Sequence, residues 1–245
     1  MRFKLMVELQ DKNFPIDYRR VILSYIKKAL TNIENGKYLS KFYKDTMQKE
    51  FCFTVEFSHP VFNKEGILLD DKNIIIKFST SDNKTGFFLQ NIFMSQMNVP
   101  FKIPTDNSMT LKKIVKENKD LTIKSNKAVF KTSKGNGLCI RKHIKEGNKD
   151  FYLTFEDENF EEQFKEVVKN QALNAGFSNS IAENIKFNPI RCKKVLIKHY
   201  DVYVDTTVGI FELEGDSRLL QYLYDGGIGS RHSSGFGMVE LINQI

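Results

Sequence analysis

The chain has 245 residues, a formal charge of +7 and 41% hydrophobic residues, among them 21 Phe and 9 Tyr. That apolar content supports packed cores and excludes global disorder. No apolar run approaches the ~20 residues of a membrane-spanning helix, and the basic balance favours a polyanionic partner. A lipid surface competes for the same charge, but no strongly basic amphipathic helix supports it, so no membrane partner is expected. Met1-Arg2 leads straight into an alternating segment rather than a secretory leader. Cys52, Cys139 and Cys192 are odd in number and far apart, with neither a disulfide framework nor a zinc spacing. The expectation is a reduced, cytoplasmic protein with no metal and no cofactor.

Taken in order, Arg2 to Leu9 alternates, with Phe3, Leu5, Val7 and Leu9 on one face, as a half-buried strand does. After Pro15, Tyr18, Val21, Ile22, Tyr25, Ile26, Ala29, Leu30 and Ile33 recur at helical spacing and predict a helix closed by Gly36. Residues 51–57 and 73–79 alternate again and predict a hairpin. Residues 85–97 read as a second helix ended before Pro100, and 109–116 as a weaker strand. This β-α-β-β-α-β order is ferredoxin-like.

The second half repeats the order without repeating the sequence. Residues 121–130 predict a strand, and 131–148 a basic loop or hairpin leading into 151–155. Asn159 with Glu162 resembles a capping box, opening a helix that Gly176 closes. Residues 193–203 and 206–213 form a further hairpin. A helix from Asp216, its N-cap, to Tyr224 and a strand over 236–242 complete the set. The expected fold is α+β, two tandem ferredoxin-like domains over residues 1–118 and 121–245. One large α+β domain is the alternative.

The stretch from Gly226 to Leu241, GGIGSRHSSGFGMVEL, is the most distinctive. Gly227, Gly229, Gly235 and Gly237 let the backbone take positive φ and approach a ligand closely. Ser230, Arg231, His232, Ser233 and Ser234 sit among them, and successive N–H groups with an Arg fork suit phosphate. A mobile surface loop is the plainer reading. A dinucleotide fingerprint or P-loop opens a helix after a strand. Here a helix leads into the loop and a strand follows, so a mononucleotide cofactor is not expected.

Helix, G-x-G, an Arg/Ser-rich run, G-F-G and a terminal strand resemble the glycine-rich signature of the RAMP superfamily, carried by Gly227, Gly229, Gly235, Phe236 and Gly237, with Leu219 and Leu220 upstream and Met238-Val239 downstream. The resemblance is best to the CRISPR-associated endoribonucleases that cut precursor CRISPR RNA within its repeats. It implies metal-independent transesterification, with CRISPR repeat RNA as partner, an association with a CRISPR effector complex, and a monomer or homodimer. It also implies a histidine after the first helix near a Tyr-Leu pair. Tyr38-Leu39 is present, but Ser40 stands where that histidine is expected. Lys49 matches the lysine before the second strand and Tyr25 approximates a helical tyrosine, with Lys41 and Tyr43 in the same loop. A non-catalytic RNA-binding subunit is therefore the alternative.

Each candidate also has a plain reading: Tyr25 as a core tyrosine, Lys41 and Lys49 as solvated charges. Of the histidines, His59 and His199 read as structural, and His232 as a phosphate contact or a proton carrier. For RNA binding the basic clusters are Arg141, Lys142 and His143 with Lys131 and Lys134, then Arg191, Lys193 and Lys194, and the glycine loop with Arg231.

Overall fold

A computed structural model describes residues 1–32, 49–117, 121–200 and 202–245. Its first half runs β1 (Arg2–Leu9), β2 (Asn13–Phe14), α1 (Tyr18–Thr31), β3 (Phe51–Phe57), β4 (Val61–Phe62), β5 (Ile67–Leu68), β6 (Asn73–Thr80), α2 (Asn83–Met94), β7 (Pro100–Ile103) and β8 (Asn107–Lys116). The main sheet is ordered β3-β6-β1-β8-β7, and every pairing is antiparallel. Without the edge strand β7, this is the ferredoxin-like arrangement. The apolar face of β1 does bury Phe3, Leu5, Val7 and Leu9. The core joins that face to α1 and α2 through rings: Phe3 stacks on Phe78 at 5.1 Å and Tyr25 on Phe93 at 5.9 Å. Asp82 starts α2 by accepting hydrogen bonds from the backbone N–H groups of Lys84 and Thr85.

The second half runs β9 (Lys127–Thr132), β10 (Ile140–Ile144), β11 (Lys149–Leu153), α3 (Phe160–Asn174), α4 (Asn179–Glu183), β12 (Lys186–His199), β13 (Val202–Glu214), α5 (Ser217–Gly226) and β14 (Val239–Gln244). Its sheet, β12-β13-β9-β14, has the same ferredoxin-like order, with the β10–β11 hairpin inserted before α3. Phe130, Phe211, Leu213 and Val239 bury one face against α3 and α5, and the opposite face is open.

Four local expectations need correction. The strand predicted from Leu121 begins at Lys127, because the N–H groups of Ile123 and Lys124 donate to the side chains of Gln221 and Gln244 instead of a neighbouring strand. Asn159 makes no side-chain cap; the helix start is held by the Phe160 N–H donating to the Asp157 carbonyl at 2.9 Å. β3 and β6 pair in register, but their link carries β4 and β5, which join β2 in a separate three-stranded sheet. The β12–β13 hairpin is longer than predicted. It pairs from Lys186↔Glu214 to His199↔Val202, whereas β9 meets β13 only from Ile210 to Glu214, so its distal half projects past the sheet. The expected helix end at Gly36 and the expected junction at 118–120 lie outside the described residues.

The projecting hairpin and two glycine-containing turns of the second domain meet α1 and β3 of the first. Arg19, buried, donates from Nε to the Gly235 carbonyl at 3.1 Å and from Nη2 to the Gly135 carbonyl at 2.6 Å. Asn136 Nδ2 donates to the Phe53 carbonyl at 3.0 Å, and Tyr18 Oη to that of Gly135 at 2.9 Å. Elsewhere on the interface Arg2 donates to the carbonyls of Tyr224 and Val239 while lying 3.9 Å over the Tyr224 ring.

Candidate nucleic-acid interface

α5 buries Leu219, Leu220 and Leu223 on one side and stops at Gly227, whose φ of 94° suits glycine. A Cβ at Gly227 would stand 2.9 Å from both Cys52 Cβ on β3 and His232 Cβ, and one at Gly237 would stand 2.3 Å from the Ile228 carbonyl oxygen. The loop's glycines thus mark places where the chain crosses other protein at contact distance. Gly229 and Gly235 are buried too, and His232 is 6% exposed with Nδ1 3.2 Å from the Phe51 carbonyl. Burial lowers the His232 pKa more than the Phe51 hydrogen bond and Glu50 raise it. The loop is accordingly a wedge between domains rather than an open turn. The physical reason is that Cys52 and Phe53 of β3 lie against Gly227 and Gly235 at contact distance.

Ser230, Arg231, Ser233 and Ser234 remain partly exposed at the edge of the wedge. Arg231 turns toward β11, where Nη2 donates to Tyr152 Oη at 2.7 Å and to Asp150 Oδ2 at 3.1 Å. The same carboxylate meets Arg141 at 3.3 Å and His143 Nδ1 at 2.8 Å. Burial pushes the Asp150 pKa up, but the His143 hydrogen bond, Arg141 and Arg231 outweigh it and hold the group below its ordinary range. Arg141, His143 and Arg231 therefore form one cluster around a single acid, with Lys142 exposed on the same hairpin.

The third basic cluster divides. Consecutive strand residues point to opposite faces, so Lys193 and Lys194 part company. Lys194 bonds Asp205 at 3.1 Å. Arg191 and Lys193 line a groove of about 630 Å³ on the open face of the second sheet, with Lys131 of β9 and Lys134 of the turn that follows it; Glu240 is its acidic lining residue. A second groove of about 880 Å³ shares Gly135, Asn136, Lys193 and Val208 with the first and continues to the start of α1 and the β4–β5 link. Its charged lining residues, Arg19, Lys64, Lys193 and Lys198, are all basic. Together they make a basic trough crossing both domains. Lys64, Lys198 and the exposed rings beside them escaped sequence reading. The available signal was the strand 186–199, whose alternating residues are mostly exposed on both faces.

Of the residues proposed for catalysis, Lys41 and Tyr43, with Ser40, lie outside the described residues. Lys49 stands where the chain enters β3; burial, then the charge of Lys27, lowers its pKa. The charges of Lys49 and Glu50 both act on His232, so the lysine adjoins the glycine wedge. Tyr25 is 2% exposed, and burial raises the pKa of its hydroxyl. Of its two readings the core one describes its surroundings, Phe93 and Phe101. Among the described residues no three His, Cys, Asp or Glu side chains converge as a metal site, and no helix is long and apolar enough to cross a membrane.

Comparison with known proteins bears on this geometry. The sequence model of a family described as CRISPR associated protein Cas6, C-terminal, matches residues 115–241, more than half of the chain. A relative from Methanocaldococcus jannaschii, named CRISPR-associated endoribonuclease Cas6 1, is 26% identical over 242 residues, covering 96% of this chain and 91% of the relative. Among solved structures, one described as the characterization of a Cas6-related gene from Pyrococcus furiosus superposes with a TM-score of 0.84 at 19% identity, covering 100% of this chain and 99% of the other. Another, described as a RAMP protein binding different RNA substrates, gives 0.82 at 19% identity, covering 99% and 100%. The structural likenesses show the tandem ferredoxin-like fold.

Proposed function

Because the chain belongs to the Cas6 family of CRISPR-associated proteins, we propose that it binds the repeats of precursor CRISPR RNA and cuts within them, in the cytoplasm, as a monomer or homodimer. The observation that carries RNA binding is the trough spanning both domains, whose charged lining residues are basic with the exception of Glu240. Arg191, Lys193, Lys131 and Lys134 contact phosphates there, and the Asp150 cluster with Arg141, Lys142, His143 and Arg231 provides a second contact beside the glycine wedge. The name of the M. jannaschii relative supports cleavage.

The reaction is an internal transesterification. The ribose 2′-hydroxyl attacks the adjacent phosphorus, the bond to the 5′-oxygen breaks, and the products end in a 2′,3′-cyclic phosphate and a 5′-hydroxyl. One proton leaves the attacking oxygen and one reaches the departing oxygen, so none is consumed. Lys49 neutralises charge building on the phosphorane, where a preorganised cation is worth most. Its lowered pKa also brings it closer to donating a proton near neutrality. Tyr43 and Lys41 orient the hydroxyl, and Tyr25 supports them from the core. Incubation of the purified protein with its repeat RNA in excess EDTA should yield fragments carrying cyclic phosphate ends. An intact substrate with protein in excess would overturn the cleavage reading.

Ser40, in the position where the resemblance implies a histidine, favours a second reading. The chain then holds CRISPR RNA as a subunit of a larger assembly without cutting it, and the RNA is bound tightly but never shortened.

A further inference from the structure

We propose that Phe62 and Tyr203 are stacking platforms for unpaired bases, which makes single-stranded RNA the form this trough selects. The inference rests on the RNA-binding reading above and adds to it the state of the substrate.

Phe62, on β4 of the first domain, is 57% exposed, and Tyr203, on β13 of the second, is 66% exposed. Single exposed rings are ordinary on a protein surface and need no explanation. These two differ in lining the same groove from different domains, and in belonging to none of the buried clusters that hold the domains together. Leu196, also well exposed, lines the groove on the strand paired with that of Tyr203.

The charge of the groove identifies what covers the rings. Lys64, Lys193, Lys198 and Arg19 line it, and no Asp or Glu does. An apolar protein surface alone has no need of that field, whereas a polyanion that also carries flat apolar faces matches both features. Single-stranded nucleic acid is such a polyanion: its backbone follows a cationic groove while bases stack on aromatic side chains. A paired RNA helix turns its bases inward and offers phosphates and 2′-hydroxyls, which the lysines would meet but the rings would not.

Fluorescence anisotropy across a salt series, with a labelled oligouridine and a fully paired RNA duplex of equal length, tests the idea on the full chain. Phe62→Ala and Tyr203→Ala should each weaken oligouridine binding roughly five- to hundredfold. They should leave its salt dependence and the duplex affinity unchanged, and Phe62→Trp and Tyr203→Phe should keep the parent affinity. Unchanged oligouridine affinity in both alanine variants, or equal losses on both RNA forms, overturns the proposal. Sedimentation velocity of the same variants covers the other occupant: a loss of self-association with RNA binding intact makes the patch a protein contact and also overturns it. The parent reading fails by a separate route, if Arg191→Ala and Lys193→Ala leave oligouridine affinity and its salt dependence untouched.

Discussion

His199 is 1% exposed, and among the described residues neither ring nitrogen finds a hydrogen-bond partner. Its ring lies edge-on to Phe236 at 5.4 Å and to Tyr200 at 4.8 Å. Burial, then the fields of Arg231 and Arg19, lower its pKa from 6.5 to about 4. A folded value below the unfolded one means the stabilisation is complete above pH 6.5 and is lost as pH falls through 4. By linkage the loss is about 3 kcal/mol. His199→Phe should flatten the acid limb of urea-unfolding stability measured between pH 7 and 4, and a variant as acid-sensitive as its parent would refute the assignment. Lys49 carries the kinetic prediction. Lys49→Ala should lower the single-turnover cleavage rate by about 10²- to 10³-fold while RNA affinity changes little. The sequence reads His199 as structural, and the structure buries it with neither ring nitrogen bonded among the described residues. One of the rings beside it, Phe236 of the glycine loop, arrives from far along the chain, and no local pattern contains that meeting.

Strand periodicity governs the basic clusters at the scale of elements. Lys193→Ala should reduce the slope of log affinity against log salt by about 0.7 for single-stranded RNA, the share of one phosphate contact. Lys194→Ala should leave the slope unaltered, since its ammonium is already paired with Asp205. Equal effects of the two substitutions would contradict the Lys194–Asp205 pairing as the difference between them. The strands and helices themselves were largely legible, because β1 alternates cleanly, β3 and β6 are rich in aromatic and β-branched residues, and α5 carries its leucines at helical spacing. The glycine loop was legible as a distinctive feature, but its packing between the domains was not. Left-handed backbone suits an anion cradle and a close crossing equally, and only the approach of Cys52 and Phe53 from β3 reveals the crossing.

The two domains of the whole molecule share one interface in which buried polar groups are bonded across long sequence separations. Arg19 reaches two carbonyls more than a hundred positions away, at Gly135 and Gly235. Hydrogen bonds from a charged donor contribute about 1.5–3 kcal/mol each. Arg19→Leu should therefore cost about 3 kcal/mol or more and loosen one half from the other. Calorimetry should show a single cooperative transition for the parent and a broadened or split one for the variant; an unchanged single transition would mean that the remaining contacts couple the halves without Arg19. The tandem order was readable from element sequence alone, whereas the trough was not, since its walls are contributed by α1, the β4–β5 link, β9 with the turn that follows it, and β12–β13.

The wedge has a consequence for how such chains are recognised. A glycine motif in which Gly227 and Gly235 fit the first half, while Gly229 and Gly237 fit their own, records assembly whatever else it does. A descendant stripped of every cleaving group would still need it to hold its halves together. Searches keyed to that motif will collect spent scaffolds alongside working nucleases, and sorting them requires looking at the segment that feeds Lys49 into β3.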